Sequence, residues 1–486
     1  METARIIIVG VGLHAKRIYI PQLFELAKDY PIKLFGVVEL KSKEKDLREY
    51  FLKQNQPVGF IFTEPFYQKR LPLPLRQQLN QFVKVNKING IIISTESTLH
   101  NVYADWALDV GLNILMDKPI TARRDSVSDI KNAKGIYTDF QSLLVKYQRS
   151  QRIAKTMFGI NTQRRYHPGF QQVSEAIKTM SHKSGCPITS TQSMHCDGEW
   201  RLPDEMVTED YHTYKIGNGK VSHSGYHVID SICNFYNSAF IPGKEADSVM
   251  LSTFFVQPNG LIHQLNSDDY ENYFGKEYSK NRIFSDKYLK TEFKNYGEVD
   301  VTTMLSFCRK GVPIAISSLA LIHNGFSRRT WYHTRPDRYK GNGRVKHEYH
   351  NIQQGPFQNI QIHSYQSKDD HSKNILDDIN LGGNNHFDIL TFKNPKFTHD
   401  NESLSKLNME DLLKDSQMEF SSLAIEQSKK RVLLEFIRFI TGLIEKPELK
   451  SNIESHDLPT KIMSGIYQSH VQFINKGNPL IKMSIL

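Results

Sequence analysis

Cysteine is scarce in this chain. The 486 residues hold four, Cys186, Cys196, Cys233 and Cys308, and they are widely scattered. That usage excludes a disulfide-stapled scaffold and shows no metal-type spacing, so a reduced, cytoplasmic protein is the expectation. No apolar run approaches the roughly 20 residues that span a membrane. The chain enters a strand-like run, Arg5-Ile6-Ile7-Ile8-Val9, almost at once, which leaves no room for a signal peptide. Internal repeats and low-complexity tracts are absent. The formal net charge is +10, yet lysine and arginine are spread along the chain and do not form the dense block of a nucleic-acid arm. A nucleic-acid partner is therefore not expected. A basic surface either steers small anionic substrates or serves solubility alone.

The hydrophobic content of 39% is that of a folded globular protein. A chain of 486 residues exceeds what one core supports, so two or more domains are expected. The boundary is placed between a first domain over 1–145 and a second over 146–486. The opening run leads into Gly10-Val11-Gly12-Leu13-His14-Ala15 and then a helix, a permitted variant of the dinucleotide-binding turn. Gly10 allows the tight turn and Gly12 lets backbone approach a pyrophosphate. Ala15 keeps helix and strand close, and the helix N-terminus offers its N–H groups to phosphate. A second strand, Leu34-Phe35-Gly36-Val37-Val38, ends in Glu39, an acid placed to accept from ribose hydroxyls. Lys41, Lys43 and Lys45 follow and suit a 2′-phosphate, so NAD is preferred over NADP without NADP being excluded. S-adenosylmethionine is bound by a similar acid, and these residues alone leave the cofactor class open.

Gly90-Ile91-Ile92-Ile93 is apolar without alternation, as a strand buried on both faces requires. It ends in Ser94-Thr95, and a helix after it carries His100. Leu112-Asn113-Ile114-Leu115-Met116 follows and closes in Asp117-Lys118-Pro119. The alternation of strand and helix predicts an α/β domain with a doubly wound parallel sheet. Ligands bind at the carboxyl edge of such sheets, where Lys118 would present its ammonium.

These motifs in this order resemble the glucose–fructose oxidoreductase and inositol dehydrogenase family. The resemblance continues at 158–168, where Arg164-Arg165-Tyr166 matches a corner near the nicotinamide. It extends to Gly219–Asp230, which matches the helix Gly-x-x-x-Asp-x-Gly-x-His-x-x-Asp. The chain departs from the family in three places: Glu96 replaces a proline, Asp117 a glutamate, and His223 the first aspartate of the helix motif. The resemblance implies an N-terminal Rossmann domain followed by an α+β domain with a large, mainly antiparallel, open-faced sheet. It implies an NAD- or NADP-dependent oxidoreductase acting on a hydroxyl or keto group of a sugar, cyclitol or derivative, and a homodimer or homotetramer. Its catalytic candidates are Lys118, His227 and His223. Its cofactor candidates are Gly10, Gly12, Leu13, His14, Ala15, Glu39, Thr95, His100, Asp117, Lys118, Arg164 and Arg165. A non-catalytic NAD(P)-binding sensor on the same fold is the alternative, since the galactose-pathway repressors resemble this family too.

His223 and His227 are spaced to lie one helical turn apart on one face. No third ligand is recognisable by spacing, so no metal is expected. Strand patterning recurs at 246–256, 301–307, 313–321 and 359–365, with Gly311 turning a hairpin. Two connections, 266–298 and 324–356, read as long inserted loops. The second is rich in arginine and aromatics, among them Arg328, Arg329, Trp331, Tyr332, His333, Arg335, Arg338 and Arg344. Helix resumes over 421–441, and a closing helix carries 461–469.

Overall fold

Ile6, Ile7 and Ile8 are all fully buried, which a strand achieves only when both faces of its sheet are covered. Ile7 joins one apolar core with Ile91 and Ile93, while Ile6 and Ile8 join the other with Ile92. The computed structural model describes residues 1–208, 213–332, 343–367, 378–398, 402–414 and 423–485. His333, Arg335 and Arg338, and the start of the expected helix over 421–441, lie outside the described residues. The chain divides into two compact units. One comprises Met1–Ala122, Ile136–Tyr166 and Ile425–Thr460, and the other Arg123–Gly135, His167–Ala424 and Lys461–Leu486. Both units are discontinuous, whereas the sequence suggested a single boundary at 145/146.

The first unit is built on a parallel sheet of β1 (Ala4–Val9), β2 (Ile32–Leu40), β3 (Gly59–Thr63), β4 (Gly90–Ile93), β5 (Asn113–Met116) and β6 (Phe158–Ile160). Its order is β3-β2-β1-β4-β5-β6, and every neighbouring pair is parallel. The strand order reverses between β1 and β4, which opens the crevice where doubly wound folds bind ligands. The Ser97–Asp109 helix packs on one face through Val102, Tyr103 and Trp106. The Ala424–Ile440 helix, far along the chain, packs on the other through Val432, Leu433 and Phe436.

The second unit carries a nine-stranded sheet. Its strands are β7 (Ser190–Cys196), β8 (Ser248–Val256), β9 (Asp300–Arg309), β10 (Val312–Ile322), β11 (Lys346–Gln354), β12 (Gln358–Gln366), β13 (Asp388–Lys393), β14 (Leu404–Leu407) and β15 (Ile481–Ser484). The order is β14-β13-β12-β11-β7-β10-β9-β8-β15, and only β7 and β10 run parallel. The β9–β10 hairpin turns at Lys310-Gly311, both in the left-handed region at φ 50° and 81°. The Pro168–Ser184 and Tyr226–Ser238 helices cover one face, where Phe170, Ile177 and Phe235 meet Ile352, Ile360 and Ile362. The other face leaves Phe254, Met304 and Ile316 54%, 55% and 54% exposed. This is the α/β plus open-faced sheet architecture expected from the sequence.

Two expectations need correction. The segment 266–298 is not a loop but folds into the helices Ser267–Phe274, Lys276–Asn281 and Asp286–Glu292. Asn266 starts the first by a capping box, accepting from Asp269 N–H while the Asp269 carboxylate accepts from Asn266 N–H. Leu289, Phe293 and Tyr296 then close a small core with Leu261 and Ile262. The segment 324–356 contains the whole of β11, whose buried side carries the polar Glu348, His350 and Gln354 beside Ile352, so that no apolar alternation shows. At its start Arg329 is buried and bonds both oxygens of Glu205, at 2.6 and 2.7 Å, together with the Trp200 and Trp331 carbonyls. Arg329 is therefore a structural anchor.

Candidate functional site

The first unit assembles its candidate site at the carboxyl ends of β1, β2, β4, β5 and β6. Gly10 sits at φ 83°, and a Cβ there would fall 2.5 Å from the Ser94 carbonyl oxygen, so only glycine passes between β1 and β4. A Cβ on Gly12 would meet nothing within 4 Å, which leaves its backbone approachable by a ligand. Helical structure begins at Leu13, where N–H groups lack intrahelical partners. Ala15 is fully buried against the sheet. Glu39 turns back onto the turn: its oxygens accept from Val11 N–H at 2.7 Å and Leu40 N–H at 2.8 Å. Each oxygen keeps a lone pair for a ribose hydroxyl. Lys41 is engaged by Glu44 and lies over the Phe62 ring, while Lys43 and Lys45 are exposed. These residues fit an adenine dinucleotide.

The helix after the turn begins as a π-helix, Ala15–Tyr19, before continuing as the α-helix Ile20–Leu26. The wider winding carries Tyr19 beneath Asp117, to which it donates a hydrogen bond. Asp117 also accepts from Ser94 Oγ at 2.6 Å and Asn161 Nδ2 at 3.1 Å, and His14 Nε2 lies 3.7 Å away. Burial alone would raise the Asp117 pKa. His14, Ser94 and Tyr19 outweigh it, and the carboxylate is held below its ordinary range. Burial pushes His14 down to about 4, so it is neutral at neutral pH. Lys118, half-buried, follows this anchored acid, and its peptide bond to Pro119 is cis.

Not every cofactor candidate faces the crevice. His100 is 1% exposed, with Nδ1 2.7 Å from the Pro119 carbonyl and Nε2 3.1 Å from the Thr95 carbonyl. It ties the loop after β4 to the loop bearing Lys118, and burial lowers its pKa. Arg164 is buried too. Arg165 is committed to the Ser455 hydroxyl at 2.6 Å and the Lys450 carbonyl at 3.0 Å. Sequence reading missed Tyr19, Ser94 and Asn161, and it missed Lys429 of the Ala424–Ile440 helix, whose ammonium is within electrostatic reach of Asp117. No local motif marks these four.

In the second unit the motif helix opens as a π-helix, Val221–Gly225, and runs on as Tyr226–Ser238. His223 breaks the helix at φ −86° and ψ −105°. The expected common face is lost: His223 is exposed, whereas His227 and Asp230 are buried. The start of this helix is fastened to β7. Lys220, 1% exposed, donates to Asp197 and approaches His195 Nδ1 at 2.9 Å, and Ser224 Oγ donates to Asp197 at 3.1 Å. Arg344 donates to the Asp197 carboxylate at 3.1 Å and its carbonyl at 2.8 Å. Burial would raise the Asp197 pKa, but Lys220, His323 and Arg344 drive it well below the ordinary range. From the other side, Glu298 accepts from Val221 N–H at 2.8 Å and Tyr467 O–H at 2.9 Å. Gly219 is needed there, since a Cβ would fall 2.0 Å from the Glu298 carbonyl. Each unit thus carries one half of the expected catalytic set, Lys118 in the first and His223 with His227 in the second.

No protein-family model and no curated protein sequence matches the chain. Solved structures do match it over nearly its whole length. An oxidoreductase from Agrobacterium radiobacter, in complex with NAD+, L-tartaric acid and magnesium, is 10% identical with a TM-score of 0.56, over 100% of this chain and 99% of that one. The aldose-aldose oxidoreductase of Caulobacter crescentus, complexed with glycerol, is 10% identical with a TM-score of 0.54, over 100% of both chains. A 3-ketoreductase from Actinomadura kijaniata, solved with NADP, is 10% identical with a TM-score of 0.52, over 96% of this chain and 97% of that one. The chain shares the two-part fold of these proteins. Among the described residues no helix is long and apolar enough to cross a membrane.

Proposed function

We propose that this protein is an NAD(P)-dependent oxidoreductase that moves a hydride between a nicotinamide cofactor and a hydroxyl or keto carbon of a sugar, cyclitol or derivative. The observation that carries the reading is the Gly10–Gly12 turn at the point of strand reversal, with Glu39 at the end of β2 and Lys118 past the end of β5. Three fold neighbours are described as oxidoreductases or a ketoreductase, which supports the same reading. Gly10, Gly12, Leu13, His14 and Ala15 would hold the diphosphate. Glu39 would take the adenosine ribose, which favours NAD because a 2′-phosphate would meet its carboxylate. Thr95 and Asp117 would border the nicotinamide half.

A bound nicotinamide would supply the hydride acceptor. The protein's own work is then to hold the substrate oxygen and move its proton. Lys118 keeps a proton at Nζ, donates it in a hydrogen bond to the reacting oxygen, and stabilises developing alkoxide charge. Asp117, anchored by Tyr19, Ser94 and Asn161, holds the lysine-bearing turn in place. His227 accepts the hydroxyl proton at its imidazole, and exposed His223 orients the substrate where an aspartate stands in the resembling family. The open sheet face would be covered in a homodimer or homotetramer, and the site of action would be the cytoplasm.

The test is calorimetric binding of NAD and NADP, followed by turnover of a panel of sugars, cyclitols and sugar acids read by reduced-nicotinamide absorbance. Lys118→Met and His227→Ala are each expected to lower kcat by about 10²- to 10⁴-fold with cofactor affinity retained. Undiminished turnover in both variants would sink the assignment of roles. Cofactor binding with no turnover of any substrate would favour the sensor alternative.

A further inference from the structure

Asp117 stands where the loops of the first unit's carboxyl edge meet. Its backbone N–H donates to the Ile93 carbonyl at the end of β4, at 2.9 Å. Its Oδ2 accepts from Ser94 Oγ at 2.6 Å, and the Ser94 carbonyl is the atom that a Cβ on Gly10 would approach to 2.5 Å. His14, just past the Gly10–Gly12 turn, brings Nε2 to 3.7 Å from Oδ1. The carboxylate therefore adjoins the end of β4, the end of β5 and the helix after the turn. These are the walls of the crevice that strand reversal opens between β1 and β4.

Tyr19 and Asn161 donate to Oδ1 and Ser94 donates to Oδ2, and all three donors are uncharged. Their direction is fixed, because the Tyr19 oxygen accepts from Asn161 Nδ2 at 2.7 Å and so turns its own proton to Asp117. Burial alone would raise the pKa, yet the carboxyl stays below its ordinary range. Hydrogen bonds from neutral groups stabilise a carboxylate but leave its negative charge to act on whatever enters the crevice. Lys118 and Lys429 act on His14 as cations from the same surroundings. A cationic ligand arriving there would meet repulsion without this acid. A nicotinamide ring is such a ligand in one redox state only, being positively charged when oxidised and neutral when reduced.

We propose that the Asp117 carboxylate discriminates between the redox states of the cofactor, stabilising the cationic oxidised ring and leaving the neutral reduced ring unaided. It pulls the bound pair toward oxidised cofactor and the alcohol form of the substrate. Anchoring the Lys118 turn takes hydrogen bonds alone, whereas discrimination takes the charge. The inference deepens the oxidoreductase reading and rests on it for the identity of the ligand.

The experiment is calorimetric titration of the full-length protein with NAD+, NADH and ADP-ribose, or with NADP+ and NADPH if these bind more tightly. A unit charge about 10 Å from the ring, at an effective dielectric constant of about 20, is worth roughly tenfold in affinity. Asp117→Asn should lower the affinity for NAD+ relative to NADH by about tenfold or more, while ADP-ribose, which has no ring, changes by less than about twofold. Asp117→Glu keeps the charge and should keep the ratio within about threefold of wild type. Glu39→Gln should weaken NAD+ and NADH by the same factor, since the adenosine end is identical in both. Should Asp117→Asn not fold, Asp117→Ser leaves room for water among the three donors and is read in the same way.

A ratio of NAD+ to NADH affinity within about twofold of wild type in Asp117→Asn or Asp117→Ser overturns the proposal. A loss of about tenfold in Asp117→Glu also overturns it, because fit rather than charge would then be the cause. The cofactor reading survives both results, since the wild type still binds the dinucleotide. If the wild type binds neither dinucleotide nor ADP-ribose, the cofactor reading itself falls and takes the proposal with it.

Discussion

Glu298 offers a direct test of how the second unit's motif helix is held. The residue is fully buried. Its Oε1 accepts both Val221 N–H at 2.8 Å and Tyr467 O–H at 2.9 Å, and Oε2 has no hydrogen-bond partner in the described structure. Burial pushes its pKa up to about 7 from an ordinary 4.5. The sign follows from proton counting. Below about pH 4.5 the carboxyl is protonated in both folded and unfolded chains and contributes no pH dependence. Between about pH 4.5 and 7 the folded state keeps a proton that the unfolded state has lost, so stability falls as pH rises. Above about pH 7 the full cost is present. Moving from 4.5 to about 7 at 1.36 kcal/mol per factor of ten makes that cost about 3 kcal/mol. Glu298→Gln keeps the acceptor oxygen and removes the titration, while adding a pH-independent penalty of about 1–3 kcal/mol for a buried amide N–H₂. The assay is urea unfolding of wild type and Glu298→Gln at intervals from about pH 5 to 8, followed through the second unit by hydrogen exchange. The variant should gain on the wild type by about 2.5 kcal/mol across that range, since part of the cost is already present at pH 5. Parallel stability curves would show that the Glu298 carboxyl does not stay protonated in the folded protein, and the reasoning would fail.

The two glycines of the turn should separate folding from binding. Gly10→Ala forces a side chain to φ 83° and onto the Ser94 carbonyl, and should cost at least about 2 kcal/mol along with nucleotide affinity. Gly12→Ala meets no neighbour and should unfold within about 0.5 kcal/mol of wild type, losing nucleotide affinity alone, as calorimetry would show. Arg329→Met leaves the Glu205 carboxylate uncompensated and should cost about 3–5 kcal/mol in denaturant unfolding, most of it restored in the double variant Arg329→Met with Glu205→Leu.

The first unit was legible wherever its physics is local. An unbroken run such as Ile6-Ile7-Ile8 needs two covered faces, so it announces a parallel strand before any contact is known. Gly10, Ala15 and Glu39 occupy positions that strand, turn and helix impose on their neighbours in sequence. The β9–β10 hairpin was equally local, since Gly311 with two alternating flanks specifies it. The helices of 266–298 escaped notice because each is short and polar, although Asn266-Ser267-Asp268-Asp269 carries a capping signal. His223 and His227 were given a common helical face on spacing alone, and the break at His223 removed it.

The sequence by itself determined the sheet classes and the ligand-approachable turn, because strand burial and turn geometry act over a few residues, whereas His227 was named through the family resemblance and Lys118 through that resemblance and its place past a strand end. Tertiary structure alone decided what surrounds them. A π-helix swung Tyr19 under Asp117, and a helix more than 300 residues downstream brought Glu426 against Arg17 of that same segment. Asp197 was fastened to Lys220 and Ser224 of one segment and to Arg344 of another. Charges buried together must be neutralised by whichever groups the fold brings near, and such groups share no spacing along the chain.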